Sequence, residues 1–325
     1  MTVIGQCAPG RETVVVRHGP GDRSDDQGAV ARALIRSDPP QEALHWVLTV
    51  TGAQAVSSVE AMPGGSSVAM HRVNLVISDD RPRQLILRRY VRPEQLAGDP
   101  GVAAHEAMVL ELIAGMTTPA PRLVGCDPTG DLVGVPAVLM TALEGRPVRA
   151  PNIGWMRQLI GVLADIHAID QTAAAVRPFQ RYTQDSYALP KWVTKPAVWE
   201  RAIELFHGPV IDEDRSFIHR DFYPGNVLWF HRRVSGVVDW EAASVGPRSM
   251  DVAHCRINLL YDDLYQAERF RQEWESMSGH TFHPWADIAT IIGLLDRYRR
   301  HPPAHRARHD IETMLERAVS DLTSP

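Results

Sequence analysis

The chain has 325 residues, 44% of them hydrophobic, a formal net charge of −5 and a pI near 6.3. That length buries a large core and accommodates two lobes, while the mild acidity supplies no basic face for nucleic acid. No apolar run reaches the length of a membrane helix, and Cys7, Cys126 and Cys255 are scattered without zinc or disulfide spacing, so a cytoplasmic protein is expected.

Residues 1–40 hold one short apolar run, Val14 to Val16, amid Gly, Pro, Asp and Ser, and read as a loosely held extension; Gly19 and Gly21 read as a turn. From Gln41 the pattern is helical, with Leu44, Val47, Leu48 and Thr51 on one face and Gly52 as the stop. A strand over 57–62, a loop over 63–67 and a strand over 68–77 follow. In that loop Gly64 and Gly65 form either a hairpin turn or a phosphate cover, with Ser66 and Ser67 as candidate phosphate contacts by position. The strand over 84–90 sends Leu85, Leu87 and Arg89 one way and Ile86, Arg88 and Tyr90 the other.

A helix over 101–115 carries Glu106 on the stripe of Val109, Leu110 and Ile113, where a carboxylate needs a partner. Residues 132–140 read as strand, and an amphipathic helix runs from Asn152 to His167, which reads as a core or helix-end histidine. Residues 171–210 are rich in aromatics and prolines and read as an inserted helical pair, or as faces for a sugar or cation.

The densest signal is His219-Arg-Asp-Phe-Tyr-Pro-Gly-Asn226, followed by Val237-Val-Asp-Trp-Glu241. Asp221 and Asn226 are five positions apart, the Asp-x-x-x-x-Asn spacing of a kinase catalytic loop. Asp221 and Asp239 are eighteen apart, room for a strand over 227–230, a turn over 231–235 and a strand over 236–238, which returns all three side chains to one mouth. Phosphoryl transfer needs such a mouth: Asn226 and Asp239 offer the oxygen ligands Mg²⁺ prefers, and Asp221 can accept the proton of an attacking hydroxyl and orient it. Two hairpins with ordinary turn residues are the plain alternative.

These segments resemble the aminoglycoside phosphotransferase and choline kinase superfamily, over roughly residues 41–300. The resemblance implies an α+β, two-lobed, protein-kinase-like fold: extension 1–40, a nucleotide-binding N-lobe 41–143 with a small antiparallel sheet, and a larger, mostly helical catalytic and substrate-binding C-lobe 144–325. It implies Arg88 where most kinases place a phosphate-clamping lysine, with Arg89 as the rival and Glu106 as the ion-pair partner. Adenine is expected against Met140, Thr141, Ala142 and Leu143. His219 and Arg220 read as structural, Glu241 as support for the metal site or merely its neighbour, and Asp251 as a helix cap or a brace for the catalytic loop.

The cofactors implied are Mg²⁺ and ATP or GTP, and the partner is a hydroxylated small molecule; no nucleic acid or membrane is expected, and the chain is read as a monomer or homodimer. The absence of Ala-Pro-Glu and of a long activation segment argues against a peptide substrate. An antibiotic of aminoglycoside or macrolide type is the acceptor the resemblance suggests first; choline, homoserine or a sugar, or a non-catalytic nucleotide-binding regulator, are the alternatives. Asp262, Asp263, Glu268, Glu273 and Glu275 form either a patch for a polyamine-like antibiotic or a solvated helix face, and His301, His305 and His309 read as exposed.

Overall fold

A computed structural model describes residues 33, 35–62, 68–77, 82–148, 154–170, 172, 175–211 and 215–323. The run at Val14, the glycines at 19 and 21, and the candidate phosphate loop with Gly64, Gly65, Ser66 and Ser67 lie outside the described residues.

Alternating apolar residues build β1 (Ala55–Ala61), β2 (Ala69–Val76), β3 (Pro82–Arg89), β4 (Leu123–Asp127) and β5 (Ala137–Thr141). They form one antiparallel sheet in the order β1-β2-β3-β5-β4. Val73, Leu75, Leu85, Leu87 and Leu139 form one core with Ala43, Trp46 and Val47 of α1 (Gln41–Thr51). The buried face of α1 is thus centred on Trp46 and Val47, with Leu44 and Leu48 at its margins, a shift from the expected stripe. Gly125 favours the fit: a Cβ there would lie 2.9 Å from Val50 Cγ1 and 3.3 Å from Trp46 Cζ2, so glycine gives the helix room to seat its indole on β4.

The last strands of the sheet, expected over 132–140, divide differently, and of that stretch 137–140 alone is strand. It belongs to β5, and β4 lies earlier. Between them Asp127 organises a turn by accepting from the amides of Gly130 (3.1 Å), Leu132 (2.8 Å) and Val133 (2.8 Å).

A second core covers the other face of the sheet and fills the helical remainder. It takes α2 (Pro93–Gly98), α3 (Val102–Leu112), α4 (Trp155–His167), α5 (Pro196–His207), α6 (Ser249–Leu260), α7 (Leu264–Ser278), α8 (Trp285–Gly293), α9 (Leu295–Arg300) and α10 (His305–Thr323). Two small ribbons sit among these helices. In one, β8 (Val227–Phe230) lies between β6 (Arg146–Pro147) and β9 (Arg233–Val237); in the other, β7 (Arg215–Ile218) pairs with β10 (Ser244–Pro247).

Among the described residues, segment 171–210 contributes a single helix, α5, and not the expected pair; the rest is irregular and is tied to β10 by Phe179 N donating to Val245 O at 2.8 Å. Among the described residues, no helix is long and apolar enough to cross a membrane.

Candidate active site

β7 delivers the chain into a turn that the side chain of Asp251 holds. Arg220 has φ 71°, a conformation that non-glycine residues seldom adopt. Asp251, fully buried in the first turn of α6, accepts from Arg220 N at 2.6 Å and His219 N at 3.0 Å, and lies 3.1 Å from His167 Nε2. Asp251 therefore braces the loop; the cap position of α6 is occupied by Arg248, which corrects the reading of Asp251 as a helix cap. His219 is buried, its Nε2 3.0 Å from Val238 O and its ring 4.4 Å from that of Trp240.

Past this turn, both oxygens of Asp221 are engaged. Oδ2 accepts from Asn226 Nδ2 at 2.8 Å, and Oδ1 lies 2.8 Å from His254 Nε2. Burial pushes the Asp221 carboxyl up, but His254, His219 and Asn226 outweigh it and leave the group below the ordinary aspartate range. Asn226 ends the single turn Pro224–Asn226, and its carbonyl accepts from Val238 N at 3.0 Å, which sets Asp239 beside it. Asp239 also has a left-handed backbone, φ 72°.

The sheet presents Arg88 to the same region. Its guanidinium is buried, with Nη1 donating to Glu106 Oε1 at 3.0 Å and Nη2 to Asp239 Oδ1 at 2.6 Å and Glu241 Oε2 at 2.7 Å. Glu106, on α3, also accepts from Tyr90 OH at 2.5 Å. One cation thus faces three carboxylates. Burial raises the Glu106 carboxyl against the pull of Arg88, and burial together with the charges of Asp239 and Glu106 pushes Glu241 up to about 7. Neither arginine is a solvent-facing charge: Arg89, the rival to Arg88, is buried too and donates to Ser37 O at 3.1 Å.

Met140 and Thr141 close β5, Thr141 exchanging bonds with Arg122 at 2.9 Å, and Ala142 N donates to Gln84 O at 3.3 Å. Leu143 packs on Gly236, where a Cβ would lie 2.4 Å from Leu143 Cδ1.

The donor set beside the catalytic loop suits a hard divalent cation. Asn226 commits Nδ2 to Asp221, so its remaining side-chain donor to a metal is the amide oxygen, and Asp239 is held to Arg88 through one of its two oxygens. His301, His305 and His309 are exposed, and among the described residues no group of three or more His, Cys, Asp and Glu is arranged as a metal centre.

The motif spacing does not reveal His254. The signal was available: it follows Asp251 by three positions on one helix, so both side chains face the same way.

Comparison with known proteins shows the family and the fold. The model of the phosphotransferase enzyme family matches residues 66–284. A homoserine kinase of Methylocella silvestris is 31% identical over 157 residues, 43% of this chain and 47% of that protein. The chain thus spans about half the length of the first curated relatives it matches. Among solved structures, aminoglycoside phosphotransferase APH(4)-Ia in complex with AMP-PNP and hygromycin B superposes with a TM-score of 0.58 at 14% identity, over 86% of this chain and 99% of that one. The macrolide 2′-phosphotransferase MphH of Brachybacterium faecium gives 0.52 at 17% identity, over 87% and 99%. The fold is the two-lobed, protein-kinase-like one, and the chain belongs to the phosphotransferase enzyme family.

Proposed function

We propose that the chain transfers the γ-phosphoryl group of ATP or GTP to a hydroxyl of a small molecule. The observation that carries this reading is the Asp221 carboxylate fixed between Asn226 and His254, on a turn whose backbone is locked by Asp251. An acidic, pinned carboxylate is a weak base but a good orienter: it accepts a hydrogen bond from the incoming hydroxyl, aims its lone pair in line with the phosphorus, and receives the proton as the new O–P bond forms and the bond from the γ-phosphorus to the bridging oxygen breaks, the nucleoside diphosphate leaving.

Arg88 binds the α- and β-phosphates in this scheme, with Glu106, itself held by the Tyr90 hydroxyl, fixing its guanidinium. Asn226 and Asp239 hold Mg²⁺, which when bound screens the charge shared by the β- and γ-phosphates. The segment from Met140 to Leu143 faces the purine, and Gly64, Gly65, Ser66 and Ser67 are the phosphate contacts that the sequence offers. Protein 41–143 and protein 144–325 then act as nucleotide-binding and catalytic lobes, in a soluble, cytoplasmic enzyme.

Release of ADP or GDP, dependent on Mg²⁺ and on a hydroxylated acceptor, tests the scheme, with Asp221→Asn as the blank. Turnover that survives in that variant rules out Asp221 as the orienting group.

For the acceptor, the similarity of fold to antibiotic kinases supports an antibiotic and a role in resistance. The relatives named homoserine kinase support a metabolic alcohol. Protection of a host strain against an antibiotic panel, lost with Asp221→Asn, favours the first; turnover of homoserine without protection favours the second.

A further inference from the structure

We propose that Arg220 is a positioning residue, which clamps the strap of residues 178–184 against the catalytic loop and so sets the wall along which an acceptor approaches Asp221. This role presupposes the phosphotransfer reading above. The backbone gives the first sign: with φ 71°, Arg220 stands where glycine is unstrained and a side chain is penalised. Asp251 already fixes that turn by accepting from the amides of Arg220 and His219, so the turn itself has no use for an arginine. A side chain retained against such strain is retained for what it touches.

What it touches is the strap. Residues 179–184, between α4 and α5, form neither helix nor strand, and Gln180, Tyr182 and Thr183 face solvent. The Arg220 guanidinium lies over the rings of Tyr182 at 4.0 Å and Phe179 at 4.9 Å and donates to the carbonyl of Gln180. Other anchors lead away from the loop. Phe179 N donates to Val245 O, Arg181 to Gly208 O and Gln184 Nε2 to Gly293 O, each at 2.8 Å, which ties the strap to β10 and to the ends of α5 and α8. Arg220 joins it to the loop, one residue before Asp221. The strap also shares a small hollow with Met250 and His254, which places it on the side from which His254 reaches Asp221.

Without the Arg220 side chain, Asp221 keeps Asn226 and His254, each at 2.8 Å, and the turn keeps Asp251. The carboxylate stays aimed while the wall beside it comes loose. Loss of the clamp should therefore appear in acceptor binding and not in the chemical step.

The test uses the full chain. Arg220→Gly removes the side chain but suits the native φ, so the turn survives. Hydrogen exchange over 178–184, read by mass spectrometry, is expected to quicken by about tenfold, with affinity for Mg²⁺ and AMP-PNP unchanged in calorimetry. In steady-state ADP release with homoserine, kanamycin and erythromycin as probe acceptors, the KM of any that is turned over should rise about tenfold while kcat stays within about threefold. Arg220→Lys, which returns a cation to the rings but not the planar fork, should recover part of both losses. Tyr182→Ala breaks the same contact from the other side, so the double variant with Arg220→Gly should lose no more than the larger single change.

Unchanged exchange over 178–184 in Arg220→Gly overturns the proposal, as does a loss confined to kcat or losses that add in the double variant. Where none of the three probes is turned over, exchange in the single and double variants decides alone. None of these results touches the phosphotransfer reading, which stands or falls on nucleotide turnover lost in Asp221→Asn.

Discussion

At the scale of the residue, Arg88 shows why a guanidinium and an ammonium are not equivalent at one position. Its Nη1 reaches Glu106 on a helix while Nη2 reaches Asp239 and Glu241, so a single planar fork joins three carboxylates from two separate segments. A lysine in its place offers one compact charge and cannot serve both ends. Arg88→Lys is therefore expected to lower kcat/KM for the nucleotide by about ten- to a hundredfold, read in steady-state kinetics at saturating acceptor. An unchanged value would mean that the guanidinium fork contributes nothing to nucleotide handling.

His254 makes a different prediction. Removing it frees one oxygen of Asp221 while Asn226 keeps the other. His254→Ala should lower kcat by about tenfold or more with little change in the KM of the nucleotide, and His254→Gln, which restores a donor, should recover part of the loss. A fall in both variants that tracks a lowered melting temperature would assign His254 to packing alone. The spacing of Asp221, Asn226 and Asp239 was legible in the chain because a short loop and a two-stranded return obey local rules. His254 was legible only through Asp251, three positions earlier on the same helix; that α6 crosses the loop there is not encoded by any local pattern.

At the scale of the element, the long helices declared themselves through periodicity, as α4 does with Leu159, Ile160, Leu163 and Ile166 all buried. The short strands did not. β10 is Ser-Val-Gly-Pro, which has little strand propensity; it exists because β7 offers an edge and because Gly246 leaves room for Phe179, whose Cβ would lie 2.4 Å from an added Cβ. β4 was hidden for a similar reason, Gly125 standing where an apolar side chain would have marked the strand.

Helix α5 also depends on a distant partner that sequence spacing cannot identify. Glu312 of α10 is buried and accepts from Thr194 N (2.8 Å), Lys195 N (3.1 Å) and Trp199 Nε1 (3.2 Å), and so holds the helix start. Burial alone would raise its carboxyl, yet these bonds and that of the Thr194 hydroxyl leave it below the ordinary glutamate range. Glu312→Ala strands several buried donors, so a loss of about 2–4 kcal/mol in urea unfolding is expected, with kcat and KM unchanged under native conditions. A loss below about 1 kcal/mol would show that water replaces the carboxylate at no penalty.

At the scale of the whole molecule, the two cores meet different demands. The sheet core beneath α1 is mainly apolar, with His71 and Arg89 buried on the same face of the sheet, whereas the larger helical core encloses an ion pair, Arg256 with Asp287, which Glu268 extends at 2.8 Å from Arg256 Nη2. Buried ion pairs are weak sources of stability because each ion is withdrawn from water. Burial, reinforced by the charge of Glu268 and opposed by that of Arg256, raises the Asp287 carboxyl to about 6 from its ordinary 3.8.

The sign of the pH effect follows. Between about pH 4 and 6 the native chain holds this proton and the unfolded chain has released it, so the native state binds more protons and loses stability as pH rises through that window. Below it the penalty is absent; above it the penalty is complete. Asp287→Asn lacks the titrating group, so the stability of wild type relative to the variant should fall by on the order of 1–3 kcal/mol as pH rises from about 4 to 7. Groups elsewhere titrate alike in both proteins and cancel in the difference. Urea unfolding of both across that range decides the matter: a difference independent of pH, or one that grows with pH, would mean that Arg256 holds Asp287 ionised throughout and that the helical core gains from the pair it encloses.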